Sequence, residues 1–489
     1  MELQFEKQDI SCLRCVADET VRREETGEIR LPENMPDAAA VISAWGQVLL
    51  RGKEWRSGGM TISGGVMGYV LYADESGKMH CVDTWLPLQF KFEFPDPGRD
   101  GQICAWGALQ GMDARVINDR KIMVRADVAL CGKAWVKERL SVPYAGEMPE
   151  DIQLRENTYP VNLCREAGEQ TFSLEEPLSF AMEQLIRCEV MPRITEQRIM
   201  GDKLVYRGVC KVHLLGQSGG KLQAYDEEVS FSQFTELENS YDQEAECFLL
   251  PVVTAMETEG NEEGKYTLKC GLSCQYVLCQ REMLMLPEDG YSTDREMKLQ
   301  TEHMVIPSVL QMESSTKNIT CAIDSDGLQV IEATMQASPG WLDRQENTYM
   351  LPLWSQVLYM DSEGKIRGEG CRSEEPISMP AGEKICPGIY AEAGELHIAP
   401  LAGKTEVSGT LHLTEMTGAN WEREVISAIS LGEKREKDPN RPSLILRRMG
   451  EEGLWEVAKS CRTTVAAIQN ANDLTTEPVV NQMLIIPIS

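Results

Sequence analysis

The chain repeats itself, and that constrains its fold more than any other feature. Tyr69–Met79, Val212–Leu222 and Gln356–Ile366 each run from an apolar stretch, through a short polar turn and a Gly-Lys step, into a second stretch. Gly77, Gly220 and Gly364 lie 143 and 144 residues apart. Lys121–Val128 matches Lys265–Leu272 at an offset of 144, as Glu138 matches Glu282 and Pro143 matches Pro287. Ile29–Glu33 matches Phe172–Glu176 at 143. These offsets divide the chain into units 1–147, 148–294 and 295–432, the third the most divergent. Repeats that must stack in order to fold are roughly 20–50 residues long. Units this much longer are expected to hold a core each, as three beads in a row.

Within the units the apolar period is two. Tyr266, Leu268, Cys270, Leu272, Cys274 and Tyr276 alternate with mostly polar neighbours, as do Ile122, Val124, Ala126, Val128 and Leu130. That pattern is a strand with one face buried. Asp74–Gly77, Gln217–Gly220 and Asp361–Gly364 supply turn chemistry between strands. No long 3.6-residue period occurs in the three units. The expected fold is therefore mainly β: three tandem β-rich domains, sandwich or open-barrel, joined without crossover helices.

The pattern breaks at 433–442, a charged segment with two prolines that reads as a linker. Beyond it, Ser443–Gly450 reads as a strand and Leu454, Val457 and Ala458 share one helical face. Thr463-Thr464 is a helix N-cap signal, a second short helix follows, and Gln482–Pro487 closes as a strand. Residues 443–489 thus form a βααβ unit. Gly450, Leu454-Trp455, Val457-Ala458, Thr464-Val465, Ile468, Asn472, Leu474, Gln482 and Leu484–Pro487 resemble the LysM domain. The resemblance implies a core of Trp455, Val457, Ala458, Val465, Ile468, Leu484 and Ile486. It also implies a groove formed by Gly450, Glu451, Glu452, Gly453, Leu454, Asn472, Leu474, Val480 and Asn481. In LysM domains that groove holds N-acetylglucosamine chains. Both groove loops depart from the usual residues here, which points the groove to a protein partner or to none.

With that tail, the repeats take on a family likeness. Leu31–Asp37, the apolar run to Val48, Gly68–Tyr72 and Gly77-Lys78 resemble the SPOCS domain, most clearly in the first unit. Three such domains before a LysM domain resemble the clostridial spore-coat morphogenetic proteins. That resemblance implies a scaffold or adaptor of coat assembly. It implies a place in the mother-cell cytoplasm, at the forespore surface and in the spore coat. The implied partners are the basement ATPase of the coat, of the stage IV sporulation protein A kind, and other coat proteins. The alternative is a cell-wall protein whose LysM domain holds peptidoglycan.

Composition supports the first reading by exclusion. The net charge is −29, from 48 basic and 77 acidic side chains. Nucleic acid needs a cationic surface to displace its counterions, so no nucleic-acid partner is expected. The charge lies in 1–440, because 441–489 carries five basic and five acidic residues. No secretory signal and no transmembrane segment are expected. Sixteen cysteines are spread through strand-like segments and read as buried, reduced thiols. Cys12–Cys15 is a lone CxxC, and five histidines form no HxxxH pair. Gly216–Gly220 matches GxSxG, but a strand-like segment follows where a nucleophile elbow needs a helix. No catalytic residue, cofactor or metal is expected.

Overall fold

The computed structural model describes residues 2–56, 58–94, 101–325, 329–379, 385–436 and 442–488. It is mainly β, with 79% strand and 3% helix. The first strands are β1 (Glu2–Gln4), β2 (Glu6–Arg30), β3 (Ala40–Arg56), β4 (Gly59–Ala73), β5 (Met79–Glu93), β6 (Gly101–Asn118) and β7 (Lys121–Tyr144). Then come β8 (Ile152–Ala181), β9 (Gln184–Ser218), β10 (Lys221–Tyr241), β11 (Glu246–Gly260) and β12 (Lys265–Ser292). After these follow β13 (Arg295–Asp324), β14 (Gln329–Ala337), β15 (Trp341–Asp343), β16 (Thr348–Met360), β17 (Ile366–Ser378), β18 (Ile385–Leu401) and β19 (Lys404–Lys434). The chain ends in β20 (Leu444–Arg448), α1 (Leu454–Cys461), α2 (Val465–Ala471) and β21 (Met483–Pro487).

One antiparallel arrangement occurs three times. A long central strand pairs on one side with the strand that opens its segment and on the other with the strand just before it. This gives β2-β7-β6, β8-β12-β11 and β13-β19-β18. The strands between form a second sheet: β3-β4-β5, then β9-β10, then β14 and β15 with β16-β17. β9 bends at Gly201 (φ +65°), and Thr195 Oγ1 donates to Arg207 O across the bend at 3.3 Å. The tight turns fall at Gly77 (φ +80°), Gly220 (φ +74°) and Gly364 (φ +76°). An L side chain strains this left-handed backbone, whereas glycine adopts it freely.

Apolar alternation builds a core between the two sheets of each segment. Ile122, Val124 and Ala126 of β7 pack with Val66, Val70 and Phe90. Leu268, Cys270, Leu272 and Cys274 of β12 pack with Tyr206, Cys210 and Val212. Val407 and Leu411 of β19 pack with Leu351 and Tyr359.

The segments are not beads in a row, and the cause lies on the central strands. Alternation holds only at their outer ends. From Val128 to Val136 and from Ser273 to Cys279 every residue is buried. The second faces meet at a shared junction, where Cys131 and Trp135 of β7, Val277 and Cys279 of β12 and Met416 of β19 form one cluster. Another cluster joins Cys12 and Val142, Leu163 and Leu284, and Ile306 and Val425.

Side-chain amides finish these seams. Gln47 donates from Nε2 to Val190 O (2.5 Å) and accepts at Oε1 from Val190 N (3.0 Å). Gln275 does the same to Ala105, at 2.7 Å in each direction. Each glutamine pairs with an open sheet edge that would otherwise leave backbone groups unsatisfied. The chain's start also closes onto its far end: β1 pairs with Ala428–Ser430 of β19.

The expected linker at 433–442 is shorter than its composition indicates. The β13-β19 ladder runs to Lys434, opposite Arg295, and Arg435 N donates to Asp294 O at 3.0 Å. The charges of Lys434 and Arg435 are met by Asp294 and Glu296 across the ladder. Residues 437–441 lie outside the described residues.

Candidate functional site

The C-terminal module is built from β20, α1, α2 and β21. β20 and β21 pair antiparallel, Leu446 opposite Ile485. Leu454, Val457 and Ala458 of α1 meet Ile468 of α2 and Leu484 and Ile486 of β21 in a small core. Thr464 caps α2, its Oγ1 accepting from Ala467 N at 3.0 Å. Val465 and Leu474 are half-buried at the rim of that core.

The groove residues separate into two sets. Backbone pairing brings the loops together, because Asn481 N donates to Met449 O (2.8 Å) and Met449 N to Gln482 O (2.9 Å). Glu451, Val480 and Asn481 are exposed there, and Gly450, Glu452 and Gly453 are half-exposed. Glu452 is held by Arg447 at 3.0 Å. Asn472 and Leu474 are half-buried. Leu454 is buried in the core. Asn472 spends its amide on the fold, donating to Ile468 O and Ile485 O and accepting from Ile485 N.

Trp455, like Val465 and Leu474, is half-buried and packs against the module's core from its rim. It follows Leu454 by one residue, which turns it about 100° around the helix, so that it also reaches the body of the protein. It is half-buried against the body of the protein. Its ring meets Tyr291 edge-on at 5.0 Å, and its Nε1 donates to Asp289 Oδ2 at 2.7 Å. Lys459 Nζ reaches Asp289 Oδ1 at 2.6 Å, Arg155 Nη1 reaches Glu456 Oε1 at 2.9 Å, and Tyr291 OH donates to Thr463 O at 2.7 Å. Burial raises the Asp289 carboxyl, but hydrogen bonds from Lys459 and Trp455 outweigh it and hold the group below the usual carboxylate range. Asp289, Tyr291 and Arg155 carry no motif, and the sequence gives no signal that they form this seam.

A second feature missed in the sequence lies on the module's outer face. Leu444 and Leu446 of β20 and Met483 and Ile485 of β21 are all exposed. The signal was present: Leu444-Ile445-Leu446 and Met483–Ile486 are apolar at every position, so each strand offers an apolar side chain to both faces. Leu484 and Ile486 of β21 meet the module's core, while Ile445 of β20 is exposed as well.

The fold also places chemistry-bearing residues elsewhere among the described residues. No group of three or more His, Cys, Asp or Glu able to hold a metal occurs there. Gly216–Gly220 sits at the β9-β10 turn and leads into a strand. Eleven of the fifteen cysteines whose side chains are described are buried. Where the three segments meet, a cavity of about 250 Å³ opens between β2, β7, β8, β13 and β19, lined by Leu13, Trp135, Cys164, Pro307 and Met416 among others. Among the described residues no helix is long and apolar enough to cross a membrane.

Residues 181–259 match the family model described as SipL, SPOCS domain. The chain carries a SPOCS domain. The match spans β9, β10 and nearly all of β11. It falls in the middle segment, although the likeness in the sequence is clearest in the first. No curated protein and no solved structure matches the chain.

Proposed function

We propose that the protein is a non-enzymatic scaffold of spore-coat assembly, resembling the clostridial morphogenetic protein SipL. The observation that carries this is the SPOCS match at 181–259. The other two segments repeat the strand pairing around it, which supports reading 1–147 and 295–432 as further SPOCS-like domains. The strand-helix-helix-strand order of the tail supports a LysM-like module. In this reading the protein works in the mother-cell cytoplasm and is recruited to the forespore surface by the coat's basement ATPase.

The exposed apolar face on β20 and β21 is the recruitment surface in this reading. An exposed apolar patch is a common mark of a protein contact. Leu446 and Ile485 face each other across the ladder and lie outside the module's core. The test is Leu446→Glu with Ile485→Glu in the full-length protein. Both substitutions should leave the circular dichroism spectrum unchanged, abolish capture by the purified ATPase and disperse a fluorescent fusion from the forespore. Retained capture would sink the proposal for this face. Micromolar binding of N-acetylglucosamine oligomers, lost on substitution of Glu451 or Asn481, would move the assignment to a cell-wall protein.

A further inference from the structure

Cys164 on β8 and Cys279 on β12 stand directly opposite each other in the antiparallel ladder. Their sulphur atoms are 3.2 Å apart. Both side chains are buried, Cys279 completely. Directly opposed residues in an antiparallel pair have Cα atoms about 4.5–5.5 Å apart. That lies inside the roughly 4.4–6.8 Å range a disulfide spans, so the bond can close without moving either strand. The ladder shifts register between Leu278 and Cys279, and the shift leaves Arg165 unpaired in the ladder between Cys164 and Glu166. A bulge of this kind gives the local strand some freedom to twist.

Burial ordinarily makes a thiol inert. Here the three-segment junction supplies a way in, because Cys164 lines the cavity of about 250 Å³ there. Such a space admits a small neutral molecule. Cys279 lies behind Cys164 and is not among the cavity's lining residues.

We propose that Cys164 and Cys279 are a peroxide-responsive dithiol whose oxidation ties β8 to β12 at the three-way junction. The Cys164 sulphur attacks one oxygen of hydrogen peroxide. The O–O bond breaks, an S–O bond forms, and the departing hydroxide leaves as water with the thiol proton. Cys279 Sγ then attacks the sulfenic sulphur. The S–S bond forms, the S–O bond breaks, and a second water leaves with the Cys279 proton. Two thiols and one peroxide give one disulfide and two waters. The cavity exposes the attacking thiol, and the ladder places the resolving one. This inference rests on the junction geometry and is independent of the coat-assembly reading.

The test uses full-length protein exposed to hydrogen peroxide, quenched with N-ethylmaleimide, digested and mapped by mass spectrometry without reduction. The expected product is a linked peptide pair containing Cys164 and Cys279, reversed by dithiothreitol. Cys279→Ser should remove the link and leave a Cys164 sulfenic acid that dimedone traps. Cys164→Ser should remove the link and leave Cys279 a thiol with no dimedone adduct. Circular dichroism establishes that each variant is folded, and Cys279→Ala serves if the serine variant is not. Three results would overturn the proposal in folded protein. One is no 164–279 link at peroxide doses that oxidise other cysteines. Another is a link from Cys164 to Cys12 or Cys15 in its place. The last is over-oxidation of Cys164 with Cys279 left as a thiol.

Discussion

Arg187 and Glu332 show how much a single residue carries at the seams. Arg187 is fully buried and pairs with Glu332 at 3.0 Å across the boundary between the second and third segments. Its guanidinium also lies 4.8 Å from the ring centre of Trp45, in the first segment. His213 completes the group, donating from Nε2 to Glu332 (3.0 Å) and from Nδ1 to Asp226 (2.7 Å). An imidazole can donate from both nitrogens only when protonated. Burial favours the neutral ring, but the two carboxylates outweigh it and raise the His213 pKa to about 9. A folded-state value above the usual value of about 6.5 means protonation favours the native chain. This contribution is complete below about pH 6.5 and fades as pH rises through 9. The urea midpoint should therefore fall between neutral pH and about pH 10, and Glu332→Gln should flatten that fall. Removing one partner of a buried pair costs about 3–5 kcal/mol, so the variant should also start lower at neutral pH. A midpoint independent of pH in the native protein would show that His213 is not held as the cation.

At the scale of elements, Asn472 is the clearest case of a residue whose role reverses. As part of a loop it reads as a ligand contact. In the fold it clamps the end of α2 to β21 through Ile468 O, Ile485 O and Ile485 N. Asn472→Ala removes exposed bonds to the Ile485 backbone that water can replace, so the loss should be only about 0.5–1.5 kcal/mol. The expected outcome is faster amide exchange across α2 and β21, with exchange in β8 and β12 unchanged. A loss of partner binding with exchange unaltered would instead make Asn472 a contact residue. The strands themselves were legible, because alternation and left-handed glycine turns are local: Gly77, Gly220 and Gly364 mark the turns in the sequence and occupy them in the fold. The second buried face of β7 and β12 was not legible. Cys131, Trp135, Val277 and Cys279 fit either a single-faced strand in a small domain or a double-faced strand in a larger one. Nothing local separates the two. The seam contacts of Trp455 were illegible for a related reason, since an aromatic at the start of a helix suits a core or a seam, and its partners Asp289 and Tyr291 lie more than 160 residues away.

For the whole molecule, the seams decide how it unfolds. Three independent beads would melt separately, each with its own enthalpy. In this structure, unfolding one segment strands the second faces of its neighbours. It exposes the Cys131, Val277 and Met416 cluster, leaves the Ala105 edge without its Gln275 amide, and removes the support of Ile426 and Ile429, which pack with Phe5 and Ile152. Apolar burial is the main favourable contribution to folding, so a half-folded body loses stability at each exposed seam. Residues 2–434 should therefore melt as one transition by calorimetry, with the van't Hoff enthalpy close to the calorimetric one. Three separable domains would give a ratio near one third. Gln275→Ala is the sharper probe. It leaves a buried backbone N–H and C=O of Ala105 unpaired, at about 1–3 kcal/mol, and it also frees Lys53, so every contact it removes lies across the seam to the first segment. If the seams couple the segments, the one transition moves to lower temperature and stays single. If they do not, Gln275→Ala leaves the melting of the first segment, followed by tryptophan fluorescence, where it was.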